Sequence, residues 1–420
     1  MITKFFIPES DDRIDPCFDF ENDTYSSSRI SGTDHDVYAH QLFNTPNNDG
    51  FLVTRSILSD SKIRQISDVG GINKFLRIDA KIPIIADCGA FQYRDAENPP
   101  YTCEETCEFY ESLGFDYGIS LDHMIFEFDR EYDDGSSLLT KSPTPEMERR
   151  FRLSLDNAKA MRRICEEKGY QCKLIGGVQG WSPQSYHRAV QELIEDGFDY
   201  IALGGLARAN DEQLRSVLSA VRESVLASNT KLHILGVARL SLLTDYARTN
   251  VASCDSASTI LQAFKSNKDN YHTREKNYTA VRIPPASGAL SPKVRKLLKK
   301  ETEDNGDTAA EALHRKLIKL EQRALKDLRA YDAKKLPLEQ AMESLITYED
   351  QFGDEKRYYP LFEETLRDRP WEQCPCAICQ DIGIEVIILR GNNRNRRRGF
   401  HNTWNFYQQF VEKREAMAKR

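Results

Sequence analysis

Long apolar runs are missing from this chain. No stretch is long enough to cross a bilayer as a helix. The opening MITKFFIPESDDRIDP carries no apolar export segment, so a cytoplasmic protein with no membrane partner is expected. Cysteine is sparse, with 10 in 420 residues, seven of them scattered. In the reducing compartment that follows, crowded thiols point to a metal rather than to disulfides. Basic charge is not in excess either. The 58 Lys and Arg against 65 Asp and Glu leave a net charge of −7, which argues against a generally basic protein but leaves room for a local basic groove. No Walker-type phosphate loop occurs. There are no internal repeats, and the single low-complexity tract is NNRNRRR at 392–398.

What is present is a chain able to bury a large core, 40% hydrophobic over 420 residues. Its length suits one large domain with insertions, or two to three domains. Between 82 and 260, β-rich runs alternate with helical stretches. The runs are IPIIAD (82–87), FDYGISLD (115–122), CKLIGGVQ (172–179), FDYIALGG (198–205), LHILGVA (232–238) and VASCD (251–255). The clearest helix takes Thr144 as N-cap and Pro145 at its first position and stops at Gly169, with Met147, Phe151, Leu155, Ala158, Met161 and Cys165 along one face. Two more helices are expected around 182–197 and 211–228. Strand–helix–strand alternation means a parallel sheet. Six such strands, with more expected in residues 1–80, point to an α/β fold, a TIM-like (β/α)8 barrel; a doubly wound sheet is the alternative.

In such a barrel the functional side chains gather where strands end. Here the strands end in Asp87, Asp122, Gln179, Gly204–Gly205 and Asp255. A single Asp at such a place is commonly a helix cap. Three carboxylates in register with a glutamine point to chemistry. Residues 284–370 are different in kind, highly charged, with Leu313, Leu317, Leu320, Ala324, Leu328 and Tyr331 as one apolar stripe. They read as a helical insert packed by that stripe on the barrel or on a partner.

Cys374, Cys376 and Cys379 sit within six residues, and His401 is the one histidine that follows them. Three thiolates and an imidazole satisfy one tetrahedral Zn2+ per chain, closed and therefore structural. IEVIILR (384–390) is expected to be a strand returning the chain to the fourth ligand. Residues 385–420 hold nine Lys or Arg and three acids. That local excess points to a phosphate backbone held by Arg394, Arg396, Arg397 and Arg398. The layout expected is a barrel over 1–283 completed by a C-terminal helix at about 402–420, the insert over 284–370 and a zinc-binding subdomain over 371–401.

Together the pieces resemble the tRNA-guanine transglycosylase superfamily. DCGAFQ (87–92) resembles its Asp-Ser-Gly-Gly-Phe/Tyr-Gln motif, GGVQG (176–180) its Val-Gln-Gly strand end, and ALGGLA (202–207) its Gly-Gly-Leu-Ala loop. SCDSAST (253–259) matches the place of its nucleophilic Asp, and the Cys-x-Cys-x2-Cys…His-Asn pattern its zinc site. The motifs stand in the family's order and cover about 80–260 and 371–410. Departures are Cys88 and Ala90 within the first motif, Trp181 after the Val-Gln-Gly, the long stretch from Asp255 to Cys374, and no archaeal-type tRNA-binding extension after the zinc ligands. These features are more similar to the DpdA-type branch, which places a 7-deazaguanine, 7-cyano-7-deazaguanine (preQ0), into DNA.

The resemblance implies a base-exchange enzyme. Asp255 would be the nucleophile toward C1′ and Asp87 the general acid/base. Phe91 and Leu235 would sandwich the base, and Asp122, Gln179, Gly204 and Gly205 would read its edge. DNA is the expected substrate and tRNA the alternative. A further alternative is a non-catalytic, zinc-braced nucleic-acid-binding accessory subunit of the same fold. Opening a duplex without a phosphate loop implies an energy-using helper protein. The acidic stretch 127–144 is expected to be a lid.

Overall fold

The computed structural model describes residues 2–9, 11–27, 29, 35–129, 132, 141–353 and 356–419. The chain divides into two compact units: Met1–Asp11, Asn48–Ala257 and Gln409–Arg420 form one, Asp12–Asn47 and Ser258–Gln408 the other. No helix among the described residues is long and apolar enough to cross a membrane.

The first unit is a closed barrel of eight parallel strands: β1 (Lys4–Pro8), β2 (Gly50–Thr54), β3 (Ile84–Asp87), β4 (Tyr117–Ile119), β5 (Lys173–Val178), β6 (Tyr200–Leu203), β7 (Lys231–Ile234) and β8 (Val251–Asp255). Each strand pairs with its neighbour in sequence, and β8 closes on β1 with Phe6 opposite Asp255. The barrel reading is therefore correct, and the doubly wound alternative falls, because an open sheet would leave two unpaired edges. All six strands expected between 82 and 260 are present, and β1 and β2 supply the pair expected upstream.

Strand side chains alternate between faces. One set from successive strands fills the barrel interior: Phe6, Leu52, Ile85, Ile119, Ile175, Tyr200 and Ala202. The alternation that points Ile85 inward also points Asp87 inward, two residues on, at the barrel mouth. Helices lie between the strands. Thr144 caps the helix Pro145–Lys168 by accepting from the Met147 N–H at 3.2 Å, and Gly169 ends it in the left-handed region at φ 65°. Met147, Phe151, Leu155, Ala158 and Met161 are its buried face, as the spacing predicts. Ser182 and Asn210 cap the next two helices, Pro183–Glu195 and Asp211–Ser228.

The second unit is mainly helical. The longest helix of the charged stretch, Asp307–Asp332, buries Leu317, Ala324, Leu328 and Tyr331, with Leu313 and Leu320 partly covered beside them. This stripe packs on Leu345, Trp371, Ile387 and Phe400 of its own unit, so the expected docking on the barrel or a partner is replaced by an internal core. The strand expected at 384–390 is also corrected. Gly383–Ile387 is a 3-10 turn, and only Ile388–Leu389 is a strand, paired in parallel with Val281–Arg282.

Candidate active site and metal site

Asp87 ends β3 opposite Thr54, the last residue of β2. That register lets the Thr54 hydroxyl donate to Asp87 Oδ2 at 2.9 Å. The chain then turns at Gly89, with φ at 89° and a Cβ there only 2.1 Å from Ser56 Oγ, so no other residue fits this turn unstrained. Burial at the mouth is the main cause that lifts the Asp87 carboxyl to about 7. The Asp122 charge adds to it, the Thr54 and Gly89 hydrogen bonds oppose it, and the Asp255 charge adds a smaller push. A carboxyl titrating there can give a proton and take one back at neutral pH.

Asp122 lies three residues beyond β4 and is 2% exposed. Its two oxygens are spoken for. The Cys88 thiol donates to Oδ1 at 3.1 Å and Gln179 Nε2 donates to Oδ2 at 2.5 Å. Burial raises its pKa, and these two bonds hold it back. The Tyr93 hydroxyl lies 3.1 Å from both Cys88 Sγ and the Asp122 carbonyl, which pins the pair from below. Gln179 Oε1 is buried without a partner among the described residues. Gly204 follows β6 directly, and a Cβ there would lie 2.1 Å from Gln179 Nε2. The Tyr186 hydroxyl holds this turn by donating to the Gly204 carbonyl at 2.6 Å.

Asp255 ends β8 and is 5% exposed. Its Oδ1 accepts from the Gly236 N–H at 2.9 Å and lies 3.1 Å from His233 Nε2. Leu235, half-buried, packs against the barrel interior beside this turn. Phe91 sits on the loop after β3 and is 52% exposed, with the Arg94 guanidinium 4.6 Å from its ring centre. The barrel thus collects Asp87, Asp122, Gln179, Gly204, Gly205, Leu235 and Asp255 at the ends of its strands. Most of the expected lid, 130–131 and 133–140, lies outside the described residues.

Sequence reasoning missed Thr54, Cys88, Tyr93 and His233. The signal for His233 was there, a polar residue between the apolar Leu232 and Ile234 of a strand. The signal for Thr54 was not, because its role depends on the register of β2 against β3.

In the second unit Cys374, Cys376, Cys379 and His401 bring one donor atom each to a common centre, all within 4.8 Å of one another. His401 Nδ1 lies 3.6, 3.4 and 3.4 Å from the three sulfurs. A tetrahedral ion with bonds of about 2.0–2.3 Å spaces its donors about 3.5–3.8 Å apart, so the group could hold one metal ion. His401 Nε2 lies 2.8 Å from the His272 carbonyl. A carbonyl only accepts, so Nε2 carries the proton and the lone pair of Nδ1 faces the centre that the three sulfurs share. Tyr271 stacks on the imidazole at 4.2 Å and its hydroxyl meets Cys379 Sγ at 3.2 Å.

The arginine run is a correction. Arg394, Arg397 and Arg398 are 2%, 2% and 0% exposed. Arg394 bonds Glu385 at 2.6 Å, Asp23 and the Phe20 carbonyl. Arg397 donates to the Asp15 carbonyl at 3.1 Å. Arg398 donates to the carbonyls of Ala263, Val386 and Ile388. Only Arg396 is partly exposed, and it pairs with Asp12 at 3.2 Å. On the helix Gly391–Ala418 these arginines are taken up by acids and carbonyls of their own unit, as internal bracing rather than a track for phosphates.

No protein-family model matches the chain. It is 35% identical over 412 residues to a DNA-guanine transglycosylase of Salmonella montevideo, covering 95% of this chain and 94% of that protein. It is also 26% identical over 232 residues to a tRNA-guanine(15) transglycosylase of Methanocaldococcus jannaschii, covering 53% of this chain and 32% of that protein.

Proposed function

The chain belongs to the tRNA-guanine transglycosylase superfamily, and we propose that it exchanges guanine in DNA for a 7-deazaguanine, preQ0, through a covalent aspartyl-glycosyl intermediate. The observation that carries this reading is the contrast between two strand-end carboxylates. Asp87 titrates near 7 and can move a proton. Among the described residues Asp255 is anchored through Oδ1 alone, which leaves Oδ2 for the sugar.

In the first displacement Asp255 Oδ2 bonds C1′ and the C1′–N9 bond breaks, its electron pair leaving with guanine, which Asp87 protonates. In the second, N9 of the 7-deazaguanine bonds C1′, its proton goes to Asp87, and the ester to Asp255 breaks. This is the two-step logic of a retaining glycosidase. The base must leave its stack to reach the mouth. Asp122 would accept from N1–H and the exocyclic amine. Gln179 and the Gly205 N–H would meet O6, with Phe91 and Leu235 on the two faces.

DNA is favoured over tRNA because the likeness to the DNA-acting relative spans nearly the whole chain and is the higher of the two. A non-catalytic accessory role is disfavoured by the presence of both Asp87 and Asp255. Zn2+ fits the thiolate-rich, closed donor set; when bound it braces the second unit and leaves no position for substrate. An energy-using helper that opens duplex DNA belongs to the same proposal.

The test is exchange of radiolabelled guanine into bubble-containing DNA and into tRNA. Label in DNA alone supports the proposal, and label in tRNA alone overturns the choice of substrate. Denaturing-gel trapping separates the two acids. Asp255→Asn should form no adduct, and Asp87→Asn should bind polynucleotide yet exchange about 10²–10⁴-fold more slowly. An adduct that persists in Asp255→Asn and vanishes in Asp87→Asn would reverse the assignment.

A further inference from the structure

The wall of the barrel behind Asp255 holds a closed line of polar groups. His233 Nε2 lies 3.1 Å from Asp255 Oδ1, His233 Nδ1 lies 2.5 Å from Ser253 Oγ, and Ser253 Oγ lies 2.5 Å from the Tyr200 hydroxyl. His233, Ser253 and Tyr200 are 0%, 1% and 8% exposed. They meet because β7 is flanked by β6 and β8, and a register shift between Val251 and Ser253 sets Ser253 opposite His233. The Phe6 ring stands edge-on to the imidazole, 6.2 Å away at 87°, and limits its rotation.

The direction of the protons in this line follows from counting donors. Burial pushes the Tyr200 phenol well up, so it keeps its proton and donates. Its one hydrogen-bond partner among the described residues is Ser253 Oγ. Ser253 then spends its own hydrogen on His233 Nδ1, which must accept. The remaining ring proton is on Nε2 and points at Asp255. Oδ1 therefore receives two donors, His233 Nε2–H and the Gly236 N–H. Oδ2 has no hydrogen-bond partner among the described residues.

We propose that His233 is a positioning residue that sets how fast the aspartyl-glycosyl ester breaks down, with Ser253 and Tyr200 holding its tautomer. This rests on the covalent reading of Asp255 given above. The proton stays on Nε2 throughout. When Oδ2 attacks C1′, charge leaves the carboxylate, and the two donors on Oδ1 restrain that step slightly. When N9 of the incoming base displaces the ester, the electron pair of the C1′–Oδ2 bond returns to the carboxylate, and the same donors stabilise it. Loss of the His233 donor must therefore slow breakdown more than formation. A hydrogen bond to a charged group is worth about 1.5–3 kcal/mol, which corresponds to about 10–100-fold in that step.

The experiment is quenched denaturing-gel trapping, with turnover, of the full-length metal-loaded protein on bubble-containing DNA. His233→Leu removes the donor, and His233→Gln keeps an amide N–H near the Nε2 position. The expected result is an adduct fraction that rises several-fold in His233→Leu as turnover falls about 10–100-fold, with both largely restored in His233→Gln. Unchanged adduct and turnover in His233→Leu, or equal loss in both variants without adduct build-up, overturns the proposal. Should His233→Leu fail to fold, Ser253→Ala asks the same question: the ring is released to its other tautomer, and adduct must again accumulate, whereas an unchanged fraction overturns the proposal. Absence of any adduct in the unaltered protein overturns the covalent reading itself, and this proposal with it.

Discussion

Gln179 donates through Nε2 to Asp122 Oδ2 at 2.5 Å, while Gln179 Oε1 is buried with no partner among the described residues. The pair is satisfied on one side only. A base that offered N–H donors to Asp122 would release Gln179 Nε2 to donate to a carbonyl oxygen, so binding would exchange this internal bond for bonds to the base.

Gln179→Glu should therefore weaken base binding. It places a second carboxylate against Asp122 and removes the donor for O6. We expect KM for the base to rise about 10–100-fold, in keeping with 1–3 kcal/mol for an unpaired buried group. The loss should grow as pH rises and both acids ionise. Steady-state kinetics at pH 6 and pH 8 would read this; an unchanged KM at both would remove Gln179 from base recognition.

Asp87 makes folding depend on pH. Unfolded, it ionises above about pH 4; folded, it keeps its proton to about 7. The native state holds the extra proton between those values, so stability falls as pH rises through that window and then levels off. Asp87→Asn removes the buried charge. It should stabilise the protein by about 2–4 kcal/mol at pH 8 and hardly at all near pH 4. Thermal melting at the two pH values checks the sign, and a gain largest at low pH would contradict the environment described for Asp87.

Cys376→Ser should cost metal and fold together. The cysteine is buried, caps the short helix Ala377–Ile382 through the Cys379 N–H and belongs to the four-donor group. Metal binding is coupled to local folding. Elemental analysis should show about one zinc per chain lost, with a lower melting temperature and lower solubility. Full metal content with unchanged melting would refute the ligand assignment.

Arg398→Met should destabilise, not merely weaken nucleic-acid binding. Burial, helped by the charge of Arg394, pushes the Arg398 guanidinium down to about 9. Its partners are backbone carbonyls and Asn395 Oδ1 rather than an acid. Truncation would strand those acceptors at a cost of about 3 kcal/mol or more. The half-buried pair of Arg396 with Asp12 and its bond to the Arg13 carbonyl at 2.7 Å should be worth about 1–2 kcal/mol, so Arg396→Ala should melt closer to the parent than Arg398→Met. Equal melting for the two variants, with binding lost in both, would restore the surface reading of this run.

The barrel was legible because its signals are local. The short β-rich runs, the Thr144–Pro145 start and Gly169 stop, and carboxylates at strand ends each depend on a few neighbouring residues and carry over into the fold. The cluster of three thiols and an imidazole was legible for a related reason: tight thiol spacing has few other uses in a chain with little cysteine. The basic run was misread because net charge along a sequence carries no information about which face of a helix is covered. Glu385, Asp23 and the carbonyls that take up these arginines lie up to hundreds of residues away.

What the sequence by itself determined is the set of groups: which acids, amide and thiols exist, and at which ends of which elements they stand. What only the tertiary structure decided is their pairing. Thr54 reaches Asp87 through the register of β2 on β3. His233 reaches both Asp255 and Ser253 because a register shift in β8 turns Ser253 toward β7. Cys88 and Gln179 close on opposite oxygens of Asp122 from two different strands. Proton position and charge are set by contacts within about 3 Å, and such contacts come from the closure of the barrel, which brings together residues that are far apart along the chain.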